Sequence, residues 1–170
     1  MQQRPRIGGI GHIVDKEESL LRRRKYKVGC MVREQWVFGG YNCTDKVGFL
    51  VSVQQQNADT LLPIIEQYIL PNTKIHSDLW RAYGGIQALP ADYNQLKVNH
   101  SINFVDPVTD ACTNHVENMW KNAKMSHKAR CRTHRTLLPT YLKEFMWRER
   151  FGEITFRNII EHITQRYQLP

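Results

Sequence analysis

Several things are scarce or missing in this chain of 170 residues. Four cysteines stand at positions 30, 43, 112 and 131, with no CxxC pair and no second pair at zinc-finger spacing. A zinc ribbon of paired cysteines and a disulfide-dense scaffold are both excluded. The histidines are scattered too: there is no HExxH, no CxxCH, and no HxE followed by PCxxC. The expectation is reduced thiols in a cytosolic or nuclear interior and no dedicated transition-metal site. No run of residues is apolar enough to cross a bilayer, and Met1 to Gly11 lack a signal-like apolar stretch. Neither membrane insertion nor secretion is expected. Repeats, low-complexity tracts and Gly/Ser linkers are absent, so one domain is expected at this length. Acidic residues are the scarcer sign, 16 against 24 Lys+Arg, for a net charge of +8. With 41% hydrophobic and 10% aromatic residues the chain is no disordered polycation. A folded basic domain remains, and a polyanion is the first partner to consider.

What is present has an order. Gly11 to Glu18 alternate with period 2, placing Ile13, Asp15 and Glu17 on one side and His12, Val14 and Lys16 on the other. Residues 35–41 and 47–53 are rich in strand formers around a turn-like 42–46, so three strands form an antiparallel meander. The period then changes. Leu61, Ile64, Ile65 and Tyr68 follow helical spacing, with Asp59 read as the N-cap and Pro71-Asn72 as the stop. A strand at 74–77, a short helix at 80–83, a strand at 95–100 and a helix from Asn114 complete a mixed α/β sheet. Phe156, Ile159, Ile160, Ile163 and Tyr167 mark a C-terminal amphipathic helix, expected to close the core of the same domain.

The carboxylates fall where such a sheet gathers its chemistry. Asp15 and Glu17 share a face of the first strand, and Asp78 stands past the carboxyl end of the fourth. Glu117 lies in the first turn of a helix. Three clustered acids raise one another's pKa unless a cation compensates, and hard oxygen ligands suit Mg²⁺ or Mn²⁺. Each acid also has a structural explanation. Glu117 has capping-box spacing from Asn114, Asp78 suits a cap for the 80–83 turn, and Asp15 and Glu17 suit charges on an edge strand. Beyond Glu117, Lys121, Lys124 and Lys128 continue along one helix face, and Arg130 and Arg132 follow. Residues 121–135 hold no acid, which fits a phosphate-contacting strip. Arg22, Arg23, Arg24, Lys25 and Lys27 form a second basic element.

Ordered motifs carry a resemblance. They run Gly8-Gly9-Ile10-Gly11-His12-Ile13-Val14, Trp36-Val37-Phe38-Gly39-Gly40, Ile75-His76-Ser77-Asp78-Leu79-Trp80, Val98-Asn99-His100-Ser101 and Thr113-Asn114-His115-Val116-Glu117-Asn118-Met119-Trp120. With Tyr141 to Arg148 added, the chain resembles the DDE catalytic domain of insertion-sequence transposases related to the Merlin elements, across residues 8–150. The resemblance implies a ribonuclease H-like fold over 1–150, with 151–170 as a helix packed on the same domain. It implies DNA strand cleavage and transfer by two-metal phosphoryl transfer, with Glu17, Asp78 and Glu117 as catalytic residues and metal ligands. Family members carry Asp where this chain has Glu17, in Val14-Asp15-Lys16-Glu17-Glu18-Ser19. A catalytically inactive relic or a co-opted DNA- or protein-binding module is the alternative. The implied partners are transposon-end and target DNA and further copies of the chain. The implied location is the nucleus in a eukaryote and the cytoplasm otherwise. Family members also place a DNA-binding region ahead of this domain, and no such pattern precedes residue 8.

Overall fold

A computed structural model describes residues 6–22, 34–98, 112–130 and 135–167, apart from the side chains at 22, 135 and 153. The main sheet has five strands. β2 (Ile13–Arg22), β3 (Gln35–Asn42) and β4 (Val47–Val53) form the expected antiparallel meander. β6 (Lys74–Asp78) then pairs parallel to β2, and β7 (Asn94–Val98) parallel to β6, for the spatial order β4-β3-β2-β6-β7. A two-stranded parallel pair, β1 (Ile7–Gly8) with β5 (Ile69–Leu70), lies apart; no periodicity announces strands this short.

Two corrections concern helix starts. In α1 (Ala58–Tyr68) the cap is Asn57, not Asp59: Asn57 Oδ1 accepts the Thr60 N–H at 3.1 Å. In α2 (Asn114–Ala129) the cap position belongs to Thr113, which makes no side-chain cap bond, and Glu117 N–H reaches the Thr113 carbonyl at 3.1 Å. Glu117 is therefore one residue too far along for a capping box, and that structural explanation lapses. The edge-strand explanation lapses as well, because β2 lies between β3 and β6. Of the strand expected at 95–100, the last two residues lie outside the described set.

Two apolar layers cover the sheet. On one face α1 buries Leu61, Ile65 and Tyr68 against Val14, Phe38, Phe49 and Ile75. On the other, α2 buries the stripe Val116, Met119, Trp120 and Ala123 against Val37 and Leu50, joined by Leu138 and Leu142 of α3 (Leu138–Phe151). α2 can lie this close because β3 carries a glycine beneath it. A Cβ on Gly39 would stand 2.8 Å from Trp120 Cζ2 and 2.9 Å from Leu50 Cδ2.

α4 (Thr155–Arg166) forms where the C-terminal stripe was read, but none of its residues is buried. Phe156 is 79% exposed, and Ile159, Ile160 and Ile163 also face outward. The stripe does not close the core. The helix meets the domain through His162, which accepts the Trp147 indole N–H at 3.0 Å and packs edge-on to Phe151.

The close approach at Gly39 makes a prediction. Gly39→Ala should destabilise the chain by about 1–3 kcal/mol in urea unfolding, because the buried Trp120 ring and Leu50 would have to shift to admit a Cβ. Unchanged stability would mean that α2 is not packed this tightly.

Candidate active site and its neighbouring polar cluster

The central strand presents two polar faces. Alternation along β2 sends Asp15 and Glu17 toward α2, and Lys16 and Glu18 toward the α1 layer. Glu17 lies opposite Gly39 in the β2–β3 register, and so beneath the helix that carries Glu117. Across the parallel pair Asp15 is opposite His76, and two residues further along both strands stand Glu17 and Asp78.

Electrostatics reveals the convergence. Burial pushes the Glu17 carboxyl from its usual 4.5 up to about 7, and the charges of Glu117 and then Asp78 push the same way. Lys124, one of the cations expected along α2, opposes the shift. Acids from β2, β6 and α2 thus lie within one another's field. Among the described residues, Glu117 is exposed and forms no ion pair with Lys121. Asp78 Oδ1 accepts the Trp80 N–H at 3.2 Å, so its cap-like contact is real and leaves the second oxygen available. Glu117 and Asp78 both oppose the charge of Glu17, and oxygen donors of this kind suit hard divalent cations.

The other face of β2 is less expected. Lys16 is fully buried, with its Nζ over the Tyr83 ring and no hydrogen-bond partner. Burial pushes its amine well below the ordinary lysine range. Glu18 beside it is raised to about 7, mainly by burial, with Lys16 opposing.

Asp15 faces the α2 side but belongs to a separate cluster. It is fully buried, with Oδ2 at 2.9 Å from His115 Nδ1 and Oδ1 at 3.0 Å from His76 Nδ1. Cys43 Sγ lies 3.4 Å from the same His115 nitrogen. Facing atoms of Asp15, Cys112 and His115 all fall within 4.8 Å of one another. Sequence reading missed this group because its members come from four segments, and Cys112-x-x-His115 is the one local spacing that hinted at it.

The basic residues divide. Lys121, Lys124 and Lys128 are exposed along α2. Arg130 is engaged within the chain instead: its guanidinium donates to Glu144 at 2.9 Å and lies 4.4 Å over the Tyr141 ring. Arg22 ends β2 with its side chain outside the described set, and Arg23, Arg24, Lys25, Lys27 and Arg132 lie outside it altogether.

Residues 11–150 match the model of the ISXO2-like transposase domain. The chain belongs to that family. A transposase-like protein of Haemophilus influenzae is 27% identical over 106 residues, covering 62% of this chain and 83% of that protein. Among solved structures, the catalytic core of BIV integrase superposes with a TM-score of 0.56 at 11% identity, covering 81% of this chain and 82% of that one. The HTLV-2 integrase catalytic core in complex with magnesium gives 0.55 at 12% identity, covering 82% and 86%. The fold of this transposase-family chain is therefore the ribonuclease H-like one. No helix among its described residues is long and apolar enough to cross a membrane.

The raised carboxyls carry a pH signature. Glu17 and Glu18 bind protons more tightly in the folded state than in the unfolded chain. Their contribution to stability is full below about 4.5 and is lost as pH rises through about 7. In divalent-free buffer the melting temperature should fall across that interval, and Glu17→Gln should reduce the slope. A melting temperature that climbs across the same interval would contradict the crowding of these acids.

Proposed function

We propose that this domain is the catalytic core of a DNA transposase. In this reading it cleaves a phosphodiester at an element's end and joins the freed 3′-hydroxyl to target DNA, acting as a homo-oligomer. Glu17, Asp78 and Glu117 hold two divalent cations, Mg²⁺ or Mn²⁺. The observation that carries the proposal is the placement of Glu17 and Asp78 on the paired strands β2 and β6, beneath the helix that bears Glu117, and the raised Glu17 carboxyl agrees with it. When bound, such ions supply an activated water and stabilise the leaving oxygen.

The chain's own residues do the rest. Glu17, on the central strand, sets the depth of the site, and Glu117 closes it from a helix fixed by Trp120 on Gly39. Lys124, near enough to Glu17 to lower its pKa, is placed to receive a phosphate entering the site. Lys121 and Lys128, exposed on the same helix, extend that contact along the DNA backbone. Arg130 lies past the end of the same helix, where Glu144 and Tyr141 hold its guanidinium in place.

A second reading, a DNA-binding module without cleavage, has its own support. Glu17 is one methylene longer than the Asp of the related transposases, and a displacement of about 1 Å can cost about 10²-fold in rate. Lys16 buries an unpartnered amine directly beside it.

One experiment separates the two. With Mn²⁺ and DNA carrying the element's ends, the transposase reading expects nicking that Asp78→Asn abolishes and that Glu17→Asp raises by about 10-fold or more. Salt-sensitive DNA binding with no nicking by either the native chain or Glu17→Asp would establish the binding module instead.

A further inference from the structure

We propose that Asp15, Cys43, Cys112 and His115 form a second metal site, separate from the acid cluster and suited to a Zn²⁺-like ion that ties β2 to α2. The four donors come from β2, the turn after β3, the segment before α2 and the first turn of α2. Their facing atoms are Asp15 Oδ2 and Cys43 Sγ, at 2.9 and 3.4 Å from His115 Nδ1, together with Cys112 Sγ inside the 4.8 Å group.

The arrangement asks for a cation. Asp15 has no solvent exposure, and a buried carboxylate needs a paired charge, full hydrogen bonding or a metal. His76 Nδ1 does not supply that, although it is 3.0 Å from Asp15 Oδ1. With one N–H for two acceptors, His76 Nδ1 bonds the Cys112 carbonyl at 3.1 Å, and Asp15 Oδ1 is left without a hydrogen-bond partner. His115 Nδ1 is likewise over-subscribed, with a carboxylate oxygen and a sulfur both within reach of one N–H. An ion in place of that proton would serve all the donors at once.

The chemistry selects the metal. Two sulfurs, an imidazole and a carboxylate favour a borderline ion in tetrahedral coordination over Mg²⁺. The surroundings suit ligation as well. The His115 ring lies parallel to Tyr41 at 6.1 Å, and His76 Nδ1 holds the Cys112 carbonyl at 3.1 Å, where it can orient that ligand. Asp15 is two residues from Glu17 and His115 two from Glu117, so an ion here would set the spacing of the acids without touching them. The site stands on its own donors and does not depend on the transposase reading.

Co²⁺ titration of the reduced full chain tests it, read by thiolate-to-cobalt charge-transfer absorption. The expected result is a saturable band that Zn²⁺ displaces. The band should be abolished by Cys112→Ser and weakened by Cys43→Ser and by His115→Ala, a change on an exposed residue that spares the core. His76→Gln should weaken affinity by about 10–100-fold, as a residue that orients a ligand. Asp78→Asn and Glu117→Gln should leave the band intact, which keeps this site distinguishable from the acid cluster. Far-ultraviolet circular dichroism confirms that each variant folds. Absence of a thiolate band from the native chain would overturn the proposal. So would a band that survives Cys43→Ser and Cys112→Ser together, since it would belong to Cys30 or Cys131.

Discussion

The contact of α2 with the bare backbone of β3 is the constraint on which the rest of this structure depends. Trp120 occupies the space that a side chain at residue 39 would take, and the whole helix settles onto the sheet at that depth. Glu117 is one turn before Trp120, and Glu17 is Gly39's partner in the register. The same contact therefore determines how far apart two of the three acids stand. An apolar packing detail thus becomes an electrostatic one, with Glu17 raised to about 7 beneath the helix. His115, two residues nearer the start of α2 than Glu117, reaches Asp15 by the same approach.

The central strand pays for this in polar burial. A strand covered on both faces is ordinarily a continuous apolar run, whereas β2 buries or half-buries Asp15, Lys16, Glu17 and Glu18 in succession. Burial alone disfavours every one of those charges. Toward α2 the acids face other acids and the imidazole of His115, where the proposed cations would offset the cost. Toward α1, Lys16 lies over Tyr83 with no hydrogen-bond partner among the described residues, and its charge is felt by Glu18.

Legibility followed the range of the interactions. The meander, α1 and the stripe Val116, Met119, Trp120 and Ala123 were readable because strand and helix periods are local. The caps were misplaced by one or two residues, since Asn57 and Thr113 compete with equally good neighbours. The α4 stripe was legible as an amphipathic face, but periodicity does not say what covers it. Arg130 read as one more cation in a basic run, until Glu144 and Tyr141 from another helix engaged it. Asp15 read as a strand-face charge beside Glu17. Only the parallel pairing with β6 and the approach of α2 put it between two histidines.

The sequence by itself determined the alternation of β2, the helical stripes, the excess of positive charge and the ordered motifs that place the chain among DDE transposases. These are properties of neighbours in the chain, and they survive without knowing what lies across the sheet. Tertiary structure alone decided that Glu17 shares its field with Asp78 and Glu117, and that Asp15, Cys112 and His115 meet with Cys43 against His115. The reason is one of distance along the chain. Asp15 and His115 are 100 residues apart, and no spacing rule reaches that far. Only the crossover to β6 and the seating of α2 on a glycine bring such residues within hydrogen-bonding range.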